Sequence, residues 1–144
     1  MSNWALFEKG HLSYLRLEKS LAKNTIESYA FDIVKFRAFI ESKGPKGVTQ
    51  ITTDDVRSYL AHLHELGLSA TSQSRMISGL RSFFGYLYME QTIAINPMDL
   101  IESPRLGRHL PDVLSVEEIE EMLSKIDYSR PDGTRARAII ETLY

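Results

Sequence analysis

Between Ser69 and Gln91 the chain reads SATSQSRMISGLRSFFGYLYMEQ. Stepped at about 100° per residue, Phe83, Met76, Leu87, Leu80, Phe84, Ile77 and Tyr88 fall in one arc of roughly 140°. Strand alternation is absent, so this segment is expected to be a helix whose aromatic face is buried against other helices. The rest of the wheel holds Arg81, Ser74, Gly85, Ser78, Thr71, Ser82, Arg75 and Gly79, without a carboxylate. That face is either an ordinary solvated one or one suited to a polyanion. Small residues let a backbone approach a groove wall, hydroxyls bond phosphate oxygens, and arginine adds base-edge contacts.

Three further amphipathic helices precede it. Trp4, Phe7, His11, Tyr14 and Leu15 recur at helical spacing over 3–19, with Asn3 as the expected N-cap. A second helix is expected from Asn24, which together with Glu27 resembles a capping box, to about Lys43. Its stripe is Ile26, Tyr29, Ala30, Ile33, Phe36 and Ile40, and Lys23, Asn24, Thr25 and Ser28 gather at its start. A helix N-terminus with such a cluster is suited to a phosphate. After the Gly44-Pro45 break, Thr52 or Thr53 caps a third helix with Val56, Tyr59, Leu60 and Leu63 inward.

Asn96-Pro97 closes this bundle, which gives a helical domain over 1–97. Residues 98–111 contain Pro104, Gly107 and Pro111 among basic residues and read as an interdomain linker, in which Arg105, Arg108 and His109 are either phosphate contacts or plain solubilisers. Over 112–144, Ser115 caps a helix expected at 116–126, and a Pro131-Asp132-Gly133 turn leads to a last helix expected from Thr134. That helix ends without a C-cap, as in the opening fragment of a larger domain.

The 144 residues carry a net charge of −2, a mild objection to nucleic-acid binding. Lysine plus arginine balance aspartate plus glutamate over 1–104, and the acid excess lies in 105–144, so a neutral first domain remains free to present a basic face. No apolar run approaches the ~18 residues of a membrane span, and no leader follows Met1. The absence of cysteine removes disulfides and thiolate metal sites and fits a reducing cytoplasm. His62 and His64 point about 200° apart on a helix and cannot share a metal. No phosphate-binding loop, nucleophile elbow or zinc spacing is present, so neither metal nor cofactor is expected and the chain alone does not read as an enzyme.

Several segments together resemble the tyrosine recombinases of the phage-integrase family, most closely the Xer type. They are Glu18 to Thr25 followed by Tyr29, Asp32-Ile33, Phe36 and Phe39; Ser74-Arg75 through Leu80-Arg81-Ser82-Phe83-Phe84 to Tyr86-Leu87-Tyr88; Asn96-Pro97 with Ile101-Glu102-Ser103-Pro104; and Leu110 to Ser115. The resemblance implies an all-α, SAM-like core-binding domain of four helices, then a linker and two helices of a truncated catalytic domain. It further implies that the second and fourth helices meet the DNA major groove, and that complete subunits assemble as a tetramer on paired DNA sites to resolve chromosome dimers. Strand cleavage in such proteins runs through a tyrosine nucleophile and a 3′-phosphotyrosine, without metal or nucleotide. The catalytic residues are expected after Tyr144, and Tyr144 itself matches a packing position.

The expected DNA-binding residues are Lys23, Asn24, Thr25, Ser28, Thr71, Ser74, Arg75, Ser78, Arg81 and Ser82, with Arg105 and Arg108 as linker phosphate contacts. Two other readings stay open. One is an integrase of a phage, conjugative transposon or integron. The other is a helical protein-interaction module docking a partner through Phe83, Tyr86 and Tyr88.

Overall fold

The computed structural model describes residues 4–107 and 110–144. Asn3, Arg108 and His109 lie outside the described residues. All regular structure among those described is helical. The chain divides into two compact units, 1–106 and 107–144.

The first unit contains α1 (Trp4–Leu17), α2 (Lys23–Ser42), a 3₁₀ turn (Val48–Gln50), α3 (Thr53–Glu65) and α4 (Ala70–Met89). The α4 arc behaves as its periodicity requires. Met76, Ile77, Leu80, Phe83, Phe84 and Leu87 are all buried, whereas Tyr88, at the edge of the arc and in the last turn, stays half exposed. Around α4 the aromatics interlock edge to face. Phe36 meets Phe84 at 5.9 Å and Tyr59 at 5.1 Å, and Phe83 meets Phe84 at 5.3 Å, within the range that favours aromatic pairs. Trp4 stacks on Phe83, and its buried indole N–H donates to the Lys46 carbonyl, which ties α1 to the turn before α3.

Local capping explains where three of the helices start. The hydroxyls of Thr52, Ser69 and Ser115 accept from the amides of Asp55, Ser72 and Glu118. The start of α2 differs from expectation. Ser20 adopts a left-handed φ of 49° and the Leu21 amide donates to the Leu15 carbonyl, so the tight link makes Ala22 the flanking residue and places Asn24 inside the first turn. Asn24 therefore caps nothing, and Glu27 faces Lys23 at 3.7 Å.

The packing of the first unit also continues past Pro97. Met98 and Ile101 are buried in its core, and the Asn96 side chain accepts from the Met98 amide, so the stretch expected to be linker from residue 98 begins as core.

The second unit pairs α5 (Val116–Ser124) with α6 (Pro131–Leu143). Here α5 ends two residues before the expected Ile126. α6 starts three residues before Thr134, because Pro131 takes the first helical position, where a missing N–H costs nothing. Gly133 is buried in that first turn; a Cβ there would collide with the Asp127 carbonyl oxygen, so only glycine fits.

One buried group makes the first unit sensitive to acid. His11 is fully buried between α1 and α4, with Nε2 paired to the Ser82 hydroxyl at 2.9 Å and the ring against Phe83 and Tyr86. Its Nδ1 has no partner among the described residues. Burial lowers the imidazole from the ordinary 6.5 to about 4. Between these values the unfolded chain binds the proton more readily, so the stability His11 supports is complete above 6.5 and is lost as pH falls towards 4. The expected loss from this group is about 2 kcal/mol by about pH 5. Urea titrations at about pH 7 and pH 5 should show a drop that shrinks by that amount in His11→Gln; an equal drop in both proteins would contradict it.

Candidate nucleic-acid interface

The faces expected to meet DNA lie on α2 and α4, the two helices that share the most extensive contact in the first unit. They touch where Tyr29 and Asp32 of α2 meet Arg75 and Gly79 of α4. Gly79 falls on the polar side of the wheel, yet it is buried. A Cβ there would come within 3.1 Å of Asp32 Oδ2 and 3.4 Å of the Tyr29 ring, so its smallness serves helix–helix packing and not a groove wall.

Away from that crossing, Thr71 is exposed and Ser74 and Ser78 are half-buried, with the Ser78 hydroxyl donating back to the Ser74 carbonyl. Arg81 is exposed; its Nη2 donates to the Ile101 carbonyl at 2.9 Å, which ties one edge of the guanidinium to the backbone and leaves the positive charge unmatched by any carboxylate among the described residues. Ser82 turns to α1, where its hydroxyl meets His11. At the start of α2, Lys23 and Asn24 are exposed and Thr25 and Ser28 are half-buried. Neither α2 nor α4 carries an acidic residue in its first turn, although helices commonly place one there against the positive end of the macrodipole. Both starts therefore keep their positive potential available to an external anion. Arg105 is exposed in the segment that follows the bundle.

Arg75 has a partner that the helical wheel of α4 does not reveal. Its Nη1 donates to Asp32 Oδ2 at 2.7 Å and its Nη2 to Oδ1 at 3.0 Å. The Asp32 side chain is fully buried while that of Arg75 is 45% exposed. Burial pushes the Asp32 carboxyl above its ordinary value, against the pull of Arg75 and, more weakly, of Lys35. Lys35 lies over the Phe31 ring at 4.4 Å.

Of the three aromatic residues of the protein-interaction reading only Tyr88 is exposed, so they do not form one docking face. Phe83 is fully buried, and Tyr86 is half-buried against Tyr14 and His11. Among the described residues no group of histidine, cysteine and acidic side chains is placed to hold a metal ion, and no helix is long and apolar enough to cross a membrane.

Comparison with known proteins agrees with this architecture. Residues 9–91 match the family described as phage integrase, N-terminal SAM-like domain. The whole chain is 37% identical to the tyrosine recombinase XerC of Bacillus licheniformis, covering 47% of that protein. It is 34% identical to the tyrosine recombinase XerD of Rhizobium meliloti, over 97% of this chain and 47% of the relative. A third relative, the tyrosine recombinase XerD of Shewanella oneidensis, is 37% identical over 88% of this chain and 42% of its own length. The chain thus spans about half the length of the curated relatives it matches. No solved structure gives a significant match.

Proposed function

Because the chain belongs to the phage-integrase family, through its N-terminal SAM-like domain and its similarity to Xer tyrosine recombinases, we propose that it binds duplex DNA as the N-terminal clamp of an Xer-type site-specific recombinase. The observation that supports this reading best is the carboxylate-free outer face of α4, where Thr71, Ser74 and Ser78 lie between Arg75 and Arg81. The acid-free start of α2, with Lys23, Asn24, Thr25 and Ser28, adds a second anchoring point for the phosphate backbone. Arg105 and Arg108 extend the same backbone contacts along the connecting segment. The net charge of −2 does not oppose this, since binding depends on the charge of one face and not of the chain.

In this reading the chain positions DNA, and none of its residues is assigned a role in strand cleavage. The complete subunit works as a tetramer on paired recombination sites in the cytoplasm, in chromosome dimer resolution and segregation.

The test is a salt titration of binding to a duplex selected from a randomised pool by the wild-type chain. Arg81→Ala removes one phosphate contact and should flatten the slope of log affinity against log salt by about 0.9. Arg57→Ala serves as comparison, because Arg57 lies on α3 and pairs with Asp54 at 3.1 Å. Equal flattening by Arg57→Ala would place the DNA elsewhere on the bundle.

A further inference from the structure

Arg75 and Arg81 flank the same face of α4 but differ in electrostatic state. Two of the five guanidinium N–H groups of Arg75 are spent on Asp32, and three remain for an acceptor outside the protein. The carboxylate that holds them is fully buried and packs against α4 where Gly79 has no side chain, and it grips the guanidinium through both oxygens. The plane of the guanidinium is therefore set from behind. Its charge is also matched, so on meeting a phosphate it releases few counterions and gains little. Lys35 is the other cation facing Asp32, and it is engaged over the Phe31 ring. A group of fixed orientation and cancelled charge is poorly suited to general attraction. It suits a directional pair of acceptors such as the O6 and N7 atoms on the major-groove edge of guanine.

We propose that Arg75 is the specificity-determining contact of this face, reading the acceptor edge of a base, and that Asp32 is the positioning residue that holds it in reading geometry. This rests on the DNA-binding reading above and divides its labour: Arg81, whose charge no carboxylate matches, supplies backbone affinity, and Arg75 supplies sequence preference.

Two quantities separate these roles in the 144-residue chain. One is the ratio of affinities for the pool-selected duplex and a scrambled duplex of the same composition at one salt concentration. The other is the salt slope. For Arg75→Lys the ratio is expected to fall roughly ten- to a hundredfold, while the slope changes by less than about 0.3. In Asp32→Asn the ratio should fall too, but the slope should steepen by up to about 0.9, since the guanidinium charge is no longer matched. Mere loss of structure does not steepen a salt slope. Should Asp32→Asn fail to fold by thermal melting, Asp32→Glu keeps the charge and displaces the guanidinium, and it should lower the ratio at an unchanged slope.

An unchanged ratio in Arg75→Lys with a slope flattened by about 0.9 would make Arg75 a phosphate contact and overturn the assignment. An unchanged ratio in the folded Asp32 variant would remove the positioning role. Failure of the wild-type chain to enrich any duplex would overturn the DNA-binding reading and this inference together; binding with the contrary Arg75→Lys pattern would overturn only the inference.

Discussion

Phe84→Ala is expected to lower the unfolding free energy of the first unit by about 3 to 5 kcal/mol, the range for truncating a fully buried aromatic side chain. Phe84 has no exposed surface, and its ring is held edge to face by Phe36 at 5.9 Å and Phe83 at 5.3 Å. Those neighbours belong to α2 and to α4 itself, so neither moves into the cavity without breaking another contact: Phe36 with Tyr59, Phe83 with Trp4. The cavity stays open, and the transfer and cavity losses add. Tyr88→Ala, four residues on in the same helix but half exposed, should change stability by no more than about 0.5 kcal/mol. Urea unfolding followed by circular dichroism measures both. Similar losses for the two variants would mean that the α4 arc is not the centre of the core.

That contrast shows how far a helical wheel reaches. The buried set on α4 was legible because it depends on one period within one element. The caps at Thr52 and Ser115 depend on residues three apart and were equally legible, whereas the matching cap at Ser69 was not singled out. What escaped the sequence depends on where the chain returns. Asn24 has the composition of a cap, yet the Ser20–Leu21 link fixes the helix start two residues earlier. Residues 98–101 group with the linker in the sequence because of Pro104, Gly107 and Pro111 further on, yet Met98 and Ile101 are buried in the core. Gly79 was read with the polar face, and only the approach of α2 shows why it is small.

The site follows the same pattern. Exposed hydroxyls and cations on α2 and α4 could be nominated from the wheel, and the structure places most of them on accessible surface. The pairing of Arg75 with Asp32, 43 residues away, could not. A signal was present, since Asp32 borders an apolar stripe made by Tyr29, Ile33 and Phe36, and a carboxylate there requires a cation from another element. Which cation it takes is a property of the α2–α4 crossing.

Arg75→Ala is accordingly expected to act on the fold as well as on binding. It strands a fully buried carboxylate, and removing one partner of a buried pair costs about 3 to 5 kcal/mol; because Arg75 is itself half exposed and water enters where it stood, about 2 to 4 kcal/mol is expected here. The pH dependence identifies the cause. Asp32 already has a raised pKa, and without Arg75 it rises further; a carboxyl whose folded value exceeds its unfolded one contributes stability that is complete below the unfolded value and is lost as pH rises through the folded one. The penalty in Arg75→Ala should therefore be smaller at about pH 5 than at about pH 8, opposite to the His11 effect. Adding Asp32→Asn removes the stranded charge, so the double variant should recover most of the loss, with a coupling energy of about 1 to 3 kcal/mol in the double-mutant cycle. Additive losses, or a penalty independent of pH, would show that Asp32 does not depend on Arg75. Weakened DNA binding by Arg75→Ala is interpretable only beside that cycle, because the same side chain holds α2 to α4 and faces the proposed ligand.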